Sequence, residues 1–144
     1  MIRLEQSIRL KAVKQSDCRF LFGLLLERDP KISISHLATP TYKQHVDFVL
    51  SKPYSKWYVV YDKKKKVGSI YLSKQDEIGI FLKKRVANIK IKQCAMEQLM
   101  KMNPRNRFIA NCNPKNQAGI KFFKKNGFKL IQYSYEYFPK GYDF

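Results

Sequence analysis

Apolar and polar residues alternate from Ser7 to Val13, with Ile8, Leu10 and Ala12 set against Arg9 and Lys11. That is the two-residue period of a half-buried strand. Ser16 and Asp17 then offer a helix N-cap, and Leu21, Leu24 and Leu25 follow at helical spacing. This first helix should stop near Asp29-Pro30, because the residue before proline avoids the α region. Lys31 to Ala38 reads as a loop. Thr39-Pro40 reads as the start of a second helix, with a capping hydroxyl and proline at its first position. Tyr42, Val46 and Val49 supply its apolar face.

From Lys56 the texture changes to strand. Trp57 to Tyr61 and Val67 to Leu72 flank a charged turn, Lys63-Lys64-Lys65-Lys66, and predict a hairpin. Glu77 to Leu82 is a third apolar run of strand length, expected to extend the pair into a meander. Ile91, Ala95, Leu99 and Met102 mark the buried face of a helix ending before Asn103-Pro104. Phe108 to Cys112 predicts another strand, and Asn116 caps a helix bearing Ile120 and Phe123. Gly127 sits where a helix C-terminal glycine belongs, and Phe128 to Ile131 and Tyr133 to Phe138 read as closing strands. The order β-α-α-β-β-β-α-β-α-β-β, without repeat or linker, predicts one mixed α/β domain spanning residues 1–144.

Composition narrows the class. The chain has 144 residues, 44% of them hydrophobic and 28% charged, which excludes a disordered chain and leaves room for one core. Lysine and arginine number 29 against 11 acids, for a net charge of +18. Attraction to nucleic acid, to a membrane surface or to a phosphorylated small molecule follows, and charge alone does not choose. No apolar stretch approaches the roughly 20 residues of a membrane span. Glu5 falls where a secretory signal would turn apolar. Cys18, Cys94 and Cys112 are odd in number and widely spaced, fitting neither a disulfide framework nor a metal knuckle. A cytoplasmic protein with reduced thiols and no metal is the expectation.

The element order, taken with particular residues, resembles the GNAT family of acetyl-coenzyme A dependent N-acetyltransferases. The most specific stretch is Phe108-Ile109-Ala110-Asn111-Cys112-Asn113-Pro114-Lys115-Asn116, followed by Ile120 to Phe128 with its closing Gly127-Phe128. It is similar to that family's strand, P-x-N turn, helix and GF ending. Arg9 to Val13, Val67 to Ile70 and Ile78 to Leu82 fit in the expected order, so the resemblance covers nearly the whole chain. It implies a mixed, mostly antiparallel sheet flanked by helices, with acetyl-coenzyme A as co-substrate. Phe20-Leu21-Phe22, Ile34-Ser35-His36, the Tyr42 to Phe48 stretch around His45, Lys52-Pro53-Tyr54 with Trp57-Tyr58, and Glu77 to Phe81 look most like the branch that acylates amino sugars carried on nucleotides.

The resemblance also exposes a departure. The family joins its central strand to the long helix through a glycine-rich loop, which lets backbone N–H groups approach a pyrophosphate. Here Ala87-Asn88-Ile89-Lys90-Ile91-Lys92 stands in that place, and no glycine occurs between Gly79 and Gly119. A register moved by two residues recovers a leading Arg85 but no glycine. Lys90 and Lys92 oppose the helix dipole at a cost of about 0.3–1 kcal/mol each. Their charged ends are candidates to replace the missing backbone contacts; decay of the cofactor site, or lysines simply pointing into water, is the opposing reading.

The resemblance assigns the remaining roles. Ile80, Phe81 and Leu82 border the thioester, Asn116 contacts the coenzyme A arm or serves only as a helix cap, and Phe123 stands where many members have a tyrosine general acid. A phenyl ring cannot donate that proton. Glu77 is the first candidate for the general base and Asp76 the second. His36 and His45, the only histidines, fall in the segment that forms part of the acceptor site. The expected activity is acetyl transfer to a small-molecule amine, with a nucleotide-linked amino sugar favoured because its phosphates suit a +18 surface. The alternative is a GNAT-fold protein without catalysis. It would bind an anionic partner such as nucleic acid through Lys83, Lys84, Arg85, Lys90, Lys92, Lys124, Lys125 and Lys129.

Overall fold

In a computed structural model, which describes residues 7–28 and 39–140, five strands form one sheet in the order β1-β2-β3-β4-β5. The strands are β1 (Ile8–Ala12), β2 (Lys56–Asp62), β3 (Lys65–Leu72), β4 (Glu77–Leu82) and β5 (Ile109–Ala110). The first four pair antiparallel, and β5 joins β4 in parallel. The helices are α1 (Cys18–Leu26), after a short 3-10 turn at Gln15–Asp17, then α2 (Tyr42–Leu50), α3 (Ile89–Met102) and α4 (Gln117–Lys125). None of the described helices is long and apolar enough to cross a membrane.

Strand alternation divides the sheet into two working faces. Ile70, Leu72, Ile78 and Ile80 point to the side of α3 and α4, where Ile91, Ala95, Met96, Leu99 and Phe122 complete the main core. Burying such side chains contributes about 1.5–3 kcal/mol each, which outweighs the dipole cost of Lys90 and Lys92 in the first turn of α3. On the opposite face, Cys18, Leu21 and Leu24 of α1 pack with Val49 of α2. Asn88 starts α3 by accepting a hydrogen bond from the Lys90 amide at 2.9 Å. Asn103 ends it, donating from Nδ2 to the Leu99 carbonyl at 3.0 Å and to the Tyr58 hydroxyl at 3.2 Å.

Several expectations are corrected. Thr41, not Thr39, caps α2: its hydroxyl accepts from the Gln44 amide at 3.1 Å, and Gln44 answers by accepting from the Thr41 amide at 2.8 Å. This reciprocal pair satisfies two orphan donors where Thr39 could satisfy one. The four-lysine turn shrinks to Lys63 and Lys64, because Lys65 and Lys66 belong to β3. Lys66 donates to the buried Asp17 carboxylate at 2.7 Å, and that bond raises the lysine's pKa. The strand expected over Phe108 to Cys112 pairs only at Ile109 and Ala110. On α4, Phe122 is the fully buried aromatic, with Phe123 partly buried beside it. Residues 128–138 have a strand's alternation but no strand, since no second edge pairs with them among the described residues.

Candidate functional site

Two features meet on the α1 and α2 side of β4. The first is a cavity of about 280 Å³, floored by Ser69 and Tyr71 of β3 and Phe81 of β4, and walled by α1, α2 and Trp57. Tyr71 stacks flat on Tyr54, with 3.8 Å between ring centroids and 4° between planes. Trp57 meets Tyr54 edge-on at 4.9 Å. The Arg28 guanidinium lies 4.3 Å over the Phe81 ring, and among the described lining residues it is the one Lys, Arg, Asp or Glu. Trp57 Nε1 is buried with no acceptor among the described residues, a group for which a ligand oxygen is a natural partner.

Burial acts on the ionisable groups of this wall. It carries the Tyr54 phenol far above its ordinary range, helped by the neighbouring Tyr71 and opposed by Arg28. Tyr71 is also raised, by burial first, with Arg28 pulling it down and Glu77 pushing it up. Both hydroxyls therefore stay protonated and able to donate. Arg28 is lowered by the same desolvation.

The second feature is the divergence of β4 and β5. Their pairing covers only Glu77 with Ile109 and Ile78 with Ala110. In-plane direction alternates along a strand. The Lys83 amide bonds to the Val67 carbonyl, and the Glu77 carbonyl accepts from Ser73, so odd-numbered positions of β4 face β3. Ile80 and Leu82 consequently direct their N–H groups into the gap that β5 leaves, while Phe81 pairs with Ser69 and sends its ring into the cavity.

Glu77 stands at the closed end of this gap. Its carboxylate accepts from the Ser73 hydroxyl at 3.0 Å and from Asn111 Nδ2 at 2.6 Å, which fixes its orientation across the β4–β5 junction. Asp76 is turned outward, its carboxylate 3.0 Å from Arg105 Nε. His45 is buried in the cavity wall, with its ring 5.4 Å from that of Phe22. His36 lies outside the described residues.

The segment that the family resemblance assigns to the cofactor is laid out on the far side of β4. Ala87, Asn88, Ile89 and Lys90 are exposed at the entry to α3, whereas Ile91 is in the core. Lys92 folds over α4, with Nζ 4.5 Å from the Phe122 ring and 5.9 Å from that of Phe123. Burial lowers its pKa, and Cys112 offsets part of that shift. Lys92 is thereby withdrawn from the exposed basic face. Asn116 caps α4, accepting from the Gly119 amide at 3.0 Å. Sequence reasoning missed Arg28 and Tyr71; the only signal for either was position, at the end of α1 and on the cavity-facing parity of β3.

No family model and no curated protein matches the sequence. Solved structures do. The acetyltransferase from Salmonella typhimurium that modifies the N-terminal serine of ribosomal protein L7/L12 has a TM-score of 0.70 at 19% identity, over 91% of this chain and 86% of that one. The dodecameric spermidine N-acetyltransferase SpeG from Vibrio cholerae gives 0.69 at 14%, over 92% and 85%. The microcin C7 self-immunity acetyltransferase MccE, in complex with acetyl-CoA and AMP, gives 0.69 at 15%, over 91% and 83%. At these identities the likeness is one of fold. The chain has the GNAT fold.

Proposed function

We propose that this GNAT-fold chain is an N-acetyltransferase that moves an acetyl group from acetyl-coenzyme A to a primary amine. The observation that carries the reading is the divergence of β4 from β5 directly beside a walled cavity. The Ile80 amide is fixed in the gap and needs no reorganisation to receive a carbonyl oxygen, the arrangement that stabilises charge developing there. Acetyl-coenzyme A, when bound, supplies an activated thioester. Ile80 and Leu82 would hold its acyl end, with Lys90, Lys92 and Asn116 along the arm.

Glu77 is the proposed base. Its two hydrogen bonds orient it toward the junction, where it takes a proton from the acceptor ammonium directly or through one water. Phe123 offers no proton, so departure of the thiolate does not use that position. A cytoplasmic location belongs with this reading, the three cysteines being unbridged.

For the acceptor, a nucleotide-linked amino sugar is the narrower proposal. Aromatic walls suit a planar base, Arg28 suits a phosphate, and the described lining residues include no carboxylate to receive a polyamine. The test is a thermal shift with acetyl-coenzyme A, where ligand at a hundred times its dissociation constant stabilises by about 2.7 kcal/mol. Thiol release is then followed with a nucleotide-linked amino sugar, spermidine and a peptide N-terminus in parallel. Stabilisation with release only on the nucleotide sugar is expected. Neither stabilisation nor release with any amine overturns the acetyltransferase reading, and tight, salt-sensitive binding to nucleic acid in that case would favour the basic-face alternative.

A further inference from the structure

The end of α1 breaks a charge rule. A helix C-terminus favours cations, yet Glu27 stands at the C-cap of α1, its amide bonded to the Gly23 and Leu24 carbonyls at 3.3 and 3.1 Å. The acid opposes the local dipole. A local rule broken without a local gain points to a contact made elsewhere. That contact lies 57 positions along the chain, where the Glu27 carboxylate accepts from the backbone amide of Lys84 at 2.8 Å.

This bond joins two parts of the site. Lys84 belongs to the connection between β4 and α3, whose later amides are held within the connection itself. Val86 donates to the Lys83 carbonyl at 2.9 Å, Ala87 to the Lys84 carbonyl at 3.4 Å, and Lys90 to the Asn88 side chain at 2.9 Å. Lys84 is therefore tied through its amide to α1, and through its carbonyl to Ala87, the first residue of the segment assigned to the cofactor. Arg28, next to Glu27 in the chain, lays its guanidinium 4.3 Å over Phe81 in the cavity. Lys83 adds a third contact, with Nζ 5.6 Å from the ring of Phe20 on α1. Phe81, Lys83 and Lys84 are thus all engaged by α1 and its C-terminal end.

We propose that Glu27 is a positioning residue that couples the cofactor segment to the acceptor cavity, so that filling one site orders the wall of the other. This rests on the acetyltransferase reading. Coenzyme A phosphates held at 87–92 would fix the Lys84 peptide, Lys84 holds Glu27, and Glu27 sets the backbone from which Arg28 reaches Phe81. A second ligand then meets a unit already ordered by the first, and binds more tightly for it. Linkage makes the effect reciprocal: an acceptor resting on Arg28 tightens coenzyme A by the same factor. Glu27 itself touches neither ligand and moves no proton.

Trp57 supplies the reporter. It is the one tryptophan of the chain and stands in the cavity wall, so all tryptophan emission comes from the acceptor side. Coenzyme A is titrated into the full chain while acrylamide quenching of Trp57 and hydrogen exchange over residues 18–28 are followed. Saturating coenzyme A should reduce the quenching and slow exchange in the last turn of α1 by about fivefold or more, the size of a modest coupling. Glu27→Ala should still bind coenzyme A by calorimetry but lose both responses. Glu27→Gln, whose amide oxygen can still accept from Lys84, should keep them. A carboxylate with a merely structural role would change melting temperature and leave both responses intact. Where Glu27→Ala does not fold, Lys84→Pro removes the same bond from its donor side and takes its place. A native chain that binds coenzyme A with neither response, or a variant without the bond that keeps both, overturns the coupling alone. No binding of coenzyme A to the native chain overturns the acetyltransferase reading and the coupling with it.

Discussion

The ring of Tyr71 lies across Gly79 on the neighbouring strand, so close that a Cβ built on Gly79 would overlap the ring's outer carbons and hydroxyl. The two residues are register partners between β3 and β4. Glycine at 79 thus lets the tyrosine fold down over the sheet and present its other face to Tyr54. One missing side chain shapes the cavity floor.

Gly79→Ala should therefore act as an overpacking substitution. Displacing Tyr71 breaks its stack with Tyr54, and the expected loss of stability is about 1–3 kcal/mol by urea unfolding. Combining it with Tyr71→Ala should recover part of that loss, because the clash disappears with the ring. A double variant less stable than the sum of the two single changes would show that the ring is not what Gly79 accommodates.

The tyrosine pair also predicts the response to alkali. Tyr54 and Tyr71 both have folded pKa values above the unfolded value of 10.0, mainly through burial. The folded chain then holds more protons than the unfolded one above pH 10, so stability falls as pH rises through that region. Below it, the contribution is fully present. Unfolding followed from pH 9 upward should give a slope that is reduced in Tyr54→Phe, with the share of tyrosinate absorbance that belongs to Tyr54 and Tyr71 appearing late in the native protein. Early ionisation of every tyrosine at its free value would contradict the burial seen here.

How far these features are legible in sequence differs by their range. β1, the hairpin, α3 and the asparagine cap of α4 follow from local periodicity and capping chemistry, which a single stretch carries by itself. The placing of Arg28 over Phe81 joins residues far apart in the chain, and the Tyr71–Gly79 contact depends on the register between two strands, which neither stretch announces by itself. Residues 129–137 fail for another reason: their strand pattern is plain, but a strand exists only with a neighbour. Thr39 misled because Pro40 follows it, while the reciprocal Thr41 and Gln44 bonds decided the helix start.

Glu77→Gln separates a base from a structural carboxylate. The amide oxygen can still accept from Ser73 or Asn111, so the junction should keep its geometry and melting temperature. Loss of general-base catalysis should cost about 10²–10⁴ in kcat with little change in KM for acetyl-coenzyme A. An equal fall in melting temperature and rate would make Glu77 a structural tie between β4 and β5.

Lys90 and Lys92 flank the start of α3, and their different surroundings predict different effects on coenzyme A. Lys90 is exposed, so water and salt screen its charge, and Lys90→Met should weaken binding less than threefold. Lys92 rests on Phe122 and Phe123 in a drier setting that lowers its pKa. A phosphate arriving there meets a cation already stripped of part of its hydration, where attraction is stronger than at the surface. Lys92→Met should therefore weaken coenzyme A binding about tenfold or more and flatten its salt dependence, while the apolar replacement keeps the ring contacts and the fold. Ligand binding should also raise the Lys92 pKa back toward 10.5, since an anion favours the charged amine. Titration calorimetry at two salt concentrations, with the amine followed by NMR, measures both effects. A larger loss from Lys90→Met than from Lys92→Met would place the phosphates at the exposed helix end instead.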